Sequence, residues 1–112
     1  MITQSGLGKD RDPWALRKFL AETGRSMADV ARAVNTPRHK VTGTVRGVEN
    51  HRRTLAHLLA LGCPPEALFP LLYRDPETHR ATAERLFDEL REAGAPESAL
   101  RIPVRSAHRR AA

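Results

Sequence analysis

Short apolar stripes alternate along the chain with residues that start and stop helices. Asp12-Pro13 offers a cap and a first-turn proline, Trp14, Leu16, Phe19 and Leu20 follow as an apolar stripe, and Gly24 ends it. Ser26 with Asp29 three residues on is an acidic form of the capping box, opening a short helix whose inner face is Met27, Val30, Ala31 and Val34. Asn35, which tolerates a left-handed backbone, precedes Thr36-Pro37, a cap and first-turn pair that predicts a third helix over 36–46, stopped at Gly47. Asn50 is expected to cap a fourth helix carrying Leu55, Leu58, Leu59 and Leu61, closed by Gly62. Pro64-Pro65 starts a short fifth turn through Ala67, Leu68 and Phe69, with Pro70 as its stop. A last helix opens at Asp75-Pro76-Glu77, buries Ala83, Leu86, Phe87 and Leu90 at i, i+3, i+4 and i+7, and ends at Gly94.

The pattern predicts an all-α chain. It divides into an N-terminal arm (1–11), a five-helix unit (12–73), an additional C-terminal helix (74–94) and a basic tail (95–112). A length of 112 residues suits one compact domain, and with 40% hydrophobic but only 4% aromatic residues, Leu, Val and Ala supply the packing. No apolar run approaches the roughly 18 residues of a membrane span, and no signal-like block opens the chain, so a soluble, cytoplasmic protein is expected. The lone Cys63 reads as a small buried apolar residue.

Charge changes the picture by where it sits. The formal net charge is +6. Residues 24–53 hold Arg25, Arg32, Arg38, Lys40, Arg46, Arg52 and Arg53, opposed only by Asp29 and Glu49, and 101–112 adds arginines with no acid. The last helix, in contrast, is acidic. A basic segment beside an acidic one marks the former as the part that attracts an anion.

The second and third helices carry the chemistry. Two short helices joined by a tight turn can wedge the second into a groove about 12 Å wide, the major groove of DNA. At about 100° per residue, His39, Thr42, Gly43 and Arg46 lie opposite Pro37, Val41 and Thr44, with Arg38 at the margin. The outward face is therefore polar and basic, and double-stranded DNA is the expected partner.

The run Ser26-Met27-Ala28-Asp29-Val30-Ala31-Arg32-Ala33-Val34, the turn with Val41, and Leu58-Leu59-Ala60-Leu61-Gly62 followed by Pro65-Glu66-Ala67-Leu68-Phe69-Pro70 resemble the lambda-repressor-like helix-turn-helix superfamily. Within it the chain is similar to the Ner-like regulators of Mu-type phages. The resemblance covers about residues 13–70 and departs at Asn35, where Gly is usual, and at Thr36, where an apolar residue is usual. It implies a transcriptional regulator of phage or prophage genes, a repressor, working in the bacterial cytoplasm at the nucleoid. It also implies that Arg38, His39, Thr42 and Arg46 read base edges, with Gly43 in the same face. Arginine can pair with guanine and threonine can contact thymine, although Arg38 and Arg46 can equally serve phosphates alone. Lys40, Arg52 and Arg53 suit phosphate contact at the start of the fourth helix, where Asn50 also sits, and Arg25 and Ser26 can clamp the opposite strand or, for Ser26, simply cap its helix.

The stripe Ala83, Leu86, Phe87 and Leu90 must be buried, either against the rest of the chain or against its twin in a homodimer. The dimer is favoured because it doubles the base contacts. The acidic outer face of that helix suits a position away from DNA. The five histidines, 39, 51, 57, 79 and 108, form no metal-ligand motif, and no phosphate loop or nucleophile motif occurs, so no enzyme, cofactor, metal or small-molecule ligand is expected. Two other functions remain open: an architectural or accessory DNA-binding protein that relies on phosphate contact and deformability, and an antitoxin-like module binding a protein through 75–93.

Overall fold

The computed structural model describes residues 6–104. Among these residues seven α-helices succeed one another: α1 (Pro13–Glu22), α2 (Met27–Ala33), α3 (Arg38–Val45), α4 (Arg52–Ala60), α5 (Pro65–Leu68), α6 (Pro70–Arg74) and α7 (Pro76–Glu92), followed by a 3₁₀ turn at Glu97–Ala99. No strand occurs among the described residues, and none of their helices is long and apolar enough to cross a membrane.

Local chemistry sets most of these boundaries. Asp12 Oδ1 accepts from the amides of Trp14 and Ala15 at the start of α1. Ser26 and Asp29 exchange both bonds of a capping box, Asp29 N–H donating to Ser26 Oγ at 3.1 Å and Ser26 N–H to Asp29 Oδ2 at 2.8 Å. At its other end α2 closes by a paired turn: Asn35 N–H donates to Arg32 O and Thr36 N–H to Ala31 O, with Asn35 at φ 54°. Asn35 thus takes the left-handed position that glycine usually fills. It also commits Thr36 to finishing α2, so the third helix opens later than 36: Pro37 holds an extended ψ of 146° and the helix begins at Arg38.

The core is continuous from the first helix to the last. Leu16 and Leu20 of α1, Val30 of α2, Val41 and Val45 of α3, and Leu55, Leu58 and Leu59 of α4 meet Leu68, Phe69 and Leu72 at its centre, and all are buried. Trp14 is not part of it and is 73% exposed. The reason is periodicity: Leu16, Phe19 and Leu20 share one side of α1, whereas Trp14, two residues before Leu16, lies about 160° around the helix.

Three further expectations give way. Pro70 does not end the helical run but opens α6, its fixed φ suiting the first turn after the break at Phe69. The segment 1–11 is not a free arm where it is described: Leu7 is 1% and Arg11 4% exposed. Residues 95–102, the start of the expected basic tail, also dock, because Ala95 and Leu100 are buried and Ile102 packs on the core. Residues 105–112, with Arg105, Arg109 and Arg110 of the expected basic tail, lie outside the described residues.

α7 folds back onto α4 and α6. Ala83, Phe87 and Leu90 are buried in the chain's own core, Leu86 packs half-buried against it, and the Phe87 and Phe69 ring centroids lie 5.6 Å apart. The stripe expected at a dimer interface is thus covered within one chain, and these four residues build no exposed face for a second copy.

Candidate nucleic-acid interface

α2 and α3 are packed together, and α3 is anchored from beneath by Val41 and Val45, both fully buried, with Thr44 buried beside them. On the opposite side His39 is exposed, and Arg46, the residue that ends the helix, is exposed with it, while Arg38 is exposed at the start of the helix, at the margin of this face. Two of the residues expected to read bases, His39 and Arg46, therefore share one solvent-facing surface. Thr42 lies at its edge, half-buried, with Oγ1 3.8 Å from Met27 Sδ of α2. Gly43 sits in the middle.

What Gly43 accommodates is a side chain of the same protein. A Cβ placed on it would come within 2.5 Å of Glu49 Oε2. Glu49 Oε1 in turn lies 3.5 Å from Lys40 Nζ, so Lys40, expected on a phosphate, is ion-paired in the free chain. Glu49 itself was not foreseen as a site residue. Its only signal in the sequence is that it is one of two acids in the cationic stretch 24–53.

The second flank is built by the start of α4. Asn50 does not cap this helix; its Oδ1 accepts from Arg11 Nη2 at 2.8 Å, and His51 occupies the cap position without a side-chain cap bond. His51 is tied down instead by its N–H to Thr44 Oγ1, at 3.1 Å, and by Nδ1 against Thr54 Oγ1, at 2.8 Å. Burial, then the nearby Arg53 and Lys40, hold its imidazole below the ordinary histidine range. Arg52 and Arg53 are exposed. Arg52 Nε reaches Glu89 Oε1 of α7 at 3.9 Å, and an open cleft of about 410 Å³ is lined by His51, Arg52, Arg53, Glu89 and Glu92. Part of the acidic face of α7 therefore adjoins the cationic surface rather than lying apart from it, and Arg52 approaches that acid.

On the first flank Arg25 is exposed and donates from Nη1 to Thr23 O at 3.1 Å. Ser26 is exposed and spends its Oγ on capping α2. Its two bonds to Asp29 hold that carboxyl below its usual range, with Arg32 and Arg25 adding smaller effects.

Elsewhere the chemistry is quiet. Burial pushes the Cys63 thiol up to about 12, which leaves no thiolate near neutrality. Among the described residues no group of three or more His, Cys, Asp or Glu side chains is placed to hold a metal ion. No protein-family model, curated protein or solved structure matches the chain.

Proposed function

We propose that the chain is a sequence-specific regulator of transcription that binds double-stranded DNA as a helix-turn-helix protein, with α2 bracing α3 and α3 entering the major groove. The observation that carries this reading is the two-sidedness of α3: Val41 and Val45 are fully buried, while His39 and Arg46 stand exposed on the outside, with Arg38 exposed at the helix start. A helix fixed along one side, with exposed polar and basic side chains on the other, has the shape and sign required by a groove walled with phosphates. Arg53 and Arg25 flank it and suit the phosphates of the two walls. Arg52 can join them by leaving Glu89, since exposed ion pairs contribute only about 0–1 kcal/mol, and Lys40 by swinging away from the half-buried Glu49 at 3.5 Å.

The resemblance of residues 13–70 to Ner-like regulators favours repression of phage or prophage genes in the bacterial cytoplasm. The test is selection of bound duplexes from a randomised pool at near-physiological salt, followed by sequencing. Enrichment of a motif supports the reading, and an inverted repeat in it identifies a two-fold dimer. Retention without enrichment replaces it by an architectural role, and no retention removes DNA as the partner.

A further inference from the structure

The outward face of α3 is not purely cationic. At about 100° per residue Gly43 marks its centre, with His39 and Arg46 to one side and Lys40 to the other. The side chain of Glu49 lies over that glycine: Oε2 is 2.5 Å, and Cγ and Cδ each 3.3 Å, from where a Cβ on Gly43 would be. The backbone of Glu49 is held at both ends. Its N–H donates to Gly43 O at 3.4 Å, beside the 2.9 Å bond from Val48 N–H to the same oxygen, and its carbonyl accepts from Arg11 Nη1 at 3.4 Å. With Lys40 at 3.5 Å from Oε1, the carboxylate is positioned by the fold and 30% exposed.

A carboxylate at the margin of such a helix would face phosphates and be repelled. At the centre it faces the groove floor, where base edges lie. There its chemistry selects a partner. Cytosine presents only an N4 amino donor in the major groove, whereas adenine sets an N7 acceptor beside its N6 donor and guanine presents two acceptors. A carboxylate, which only accepts, fits cytosine best.

We propose that Glu49 is a specificity-determining residue, its carboxylate seated over Gly43 accepting a hydrogen bond from the exocyclic amino group of a cytosine. The assignment rests on the DNA-reading function proposed above. It adds a reader that lies beyond α3 itself, in the turn that leads to α4.

The test repeats the duplex selection with the full chain and with its Glu49→Ala and Glu49→Gln variants, melting each protein alongside to verify folding. Affinities are then measured on duplexes changed at one base pair. The unaltered chain is expected to enrich a motif with a fixed cytosine. Glu49→Ala should lose about 5- to 150-fold of discrimination at that base pair and keep the others. Glu49→Gln, whose amide both donates and accepts, should shift that position toward adenine. Variants that keep the parent motif at every position while binding all duplexes more tightly would overturn the proposal, making Glu49 a charge that merely opposes phosphates. A parent chain that enriches no motif would instead overturn the DNA-reading function on which the proposal stands.

Discussion

Arg11 and Thr44, 33 residues apart, are joined by a 2.8 Å hydrogen bond from the guanidinium Nη1 to the carbonyl oxygen in the last turn of α3. The same buried side chain donates from Nε to Leu68 O at 2.7 Å and from Nη2 to Asn50 Oδ1 at 2.8 Å, and lies 5.7 Å from the centroid of the Phe69 ring. Thr44 O also accepts from the Gly47 N–H at 3.0 Å just past the helix, and the cation from the N-terminal segment gives this helix-end carbonyl a second partner. Burial lowers its pKa to about 10, which leaves it charged at neutral pH. The guanidinium thus fixes the end of α3, the turn that carries Glu49, and the link between α5 and α6.

Arg11→Met should therefore destabilise the chain by about 3 kcal/mol, because it removes charge-assisted bonds to Leu68 O, Thr44 O and Asn50 Oδ1 and takes from Leu68 O its buried donor. Arg11→Lys should recover only part of this, since a single ammonium cannot span the planar fork of acceptors. Urea denaturation of the three proteins measures it, and a loss under about 1 kcal/mol for Arg11→Met would mean that water replaces the guanidinium readily.

Two glycines four residues apart should respond differently to alanine. Gly47 has φ 81° and a Cβ there would meet Gly8 O, a backbone atom, at 2.5 Å, so Gly47→Ala should cost about 1–3 kcal/mol for the conformation alone and more for the collision. Gly43 is helical and its obstruction is the end of the Glu49 side chain, which can swing away. Gly43→Ala should leave the melting temperature within a few degrees of the parent, because a helix-propensity gain of about 1 kcal/mol offsets the displaced Lys40–Glu49 pair. Thermal melting of both variants separates the cases.

Arg46 and Arg53 should differ in kind. Arg46→Ala is expected to weaken binding to the selected duplex by about 1–3 kcal/mol and to relax one base position. Arg53→Ala should weaken all duplexes alike and reduce the slope of log affinity against log salt by about 1. Titrations of each variant on selected and scrambled duplexes at several salt concentrations make the comparison. Equal losses on every duplex for both would remove Arg46 from base readout.

Acid should destabilise the fold through its histidines before its carboxylates. His51 and His57 are both held below the ordinary imidazole value, by burial first and then by Arg53 and Lys40 at His51 and by Arg25 at His57. Between the folded and unfolded values the unfolded chain binds more protons, so their contribution is complete above about pH 6.5 and is lost as pH falls through that window. Asp29, whose value is lowered by its bonds to Ser26, adds a loss only at more acid pH, as its own depressed pKa is passed. The melting temperature should fall between pH 7.5 and 5, and less steeply in a His51→Gln, His57→Gln double variant. An equal slope in that variant would assign the acid sensitivity to other groups.

Much of the fold was legible because its signals are local. The Ser26–Asp29 box, the proline starts at 13, 65 and 76, and the i, i+3, i+4 stripes of α2, α4 and α7 need no tertiary information. What was not legible depends on distant partners. Arg11 looks like part of a polar arm until Leu68, Thr44 and Asn50 are brought around it, and Asn50, which accepts from Arg11, does not cap α4 because that helix starts one residue later, with His51 at the cap position. Whether the α7 stripe meets its own chain or another is likewise undetermined by periodicity, and Phe69 decides it by packing on Phe87. In the candidate interface the exposed cations of α3 follow from helical spacing alone. Glu49 does not, because its place over Gly43 is set by the turn that follows the helix.

The most direct measurement is residue-resolved NMR of the labelled full chain titrated with a mixed-sequence DNA duplex at low salt. Amide perturbations should concentrate at Arg25 and Ser26, at Arg38 to Arg46, and at Arg52 and Arg53, and weaken as salt is added. The outer face of α7 at Glu84 and Asp88 should stay unperturbed. Perturbations confined to α7, or none at any salt, would contradict the assignment of α3 to the major groove.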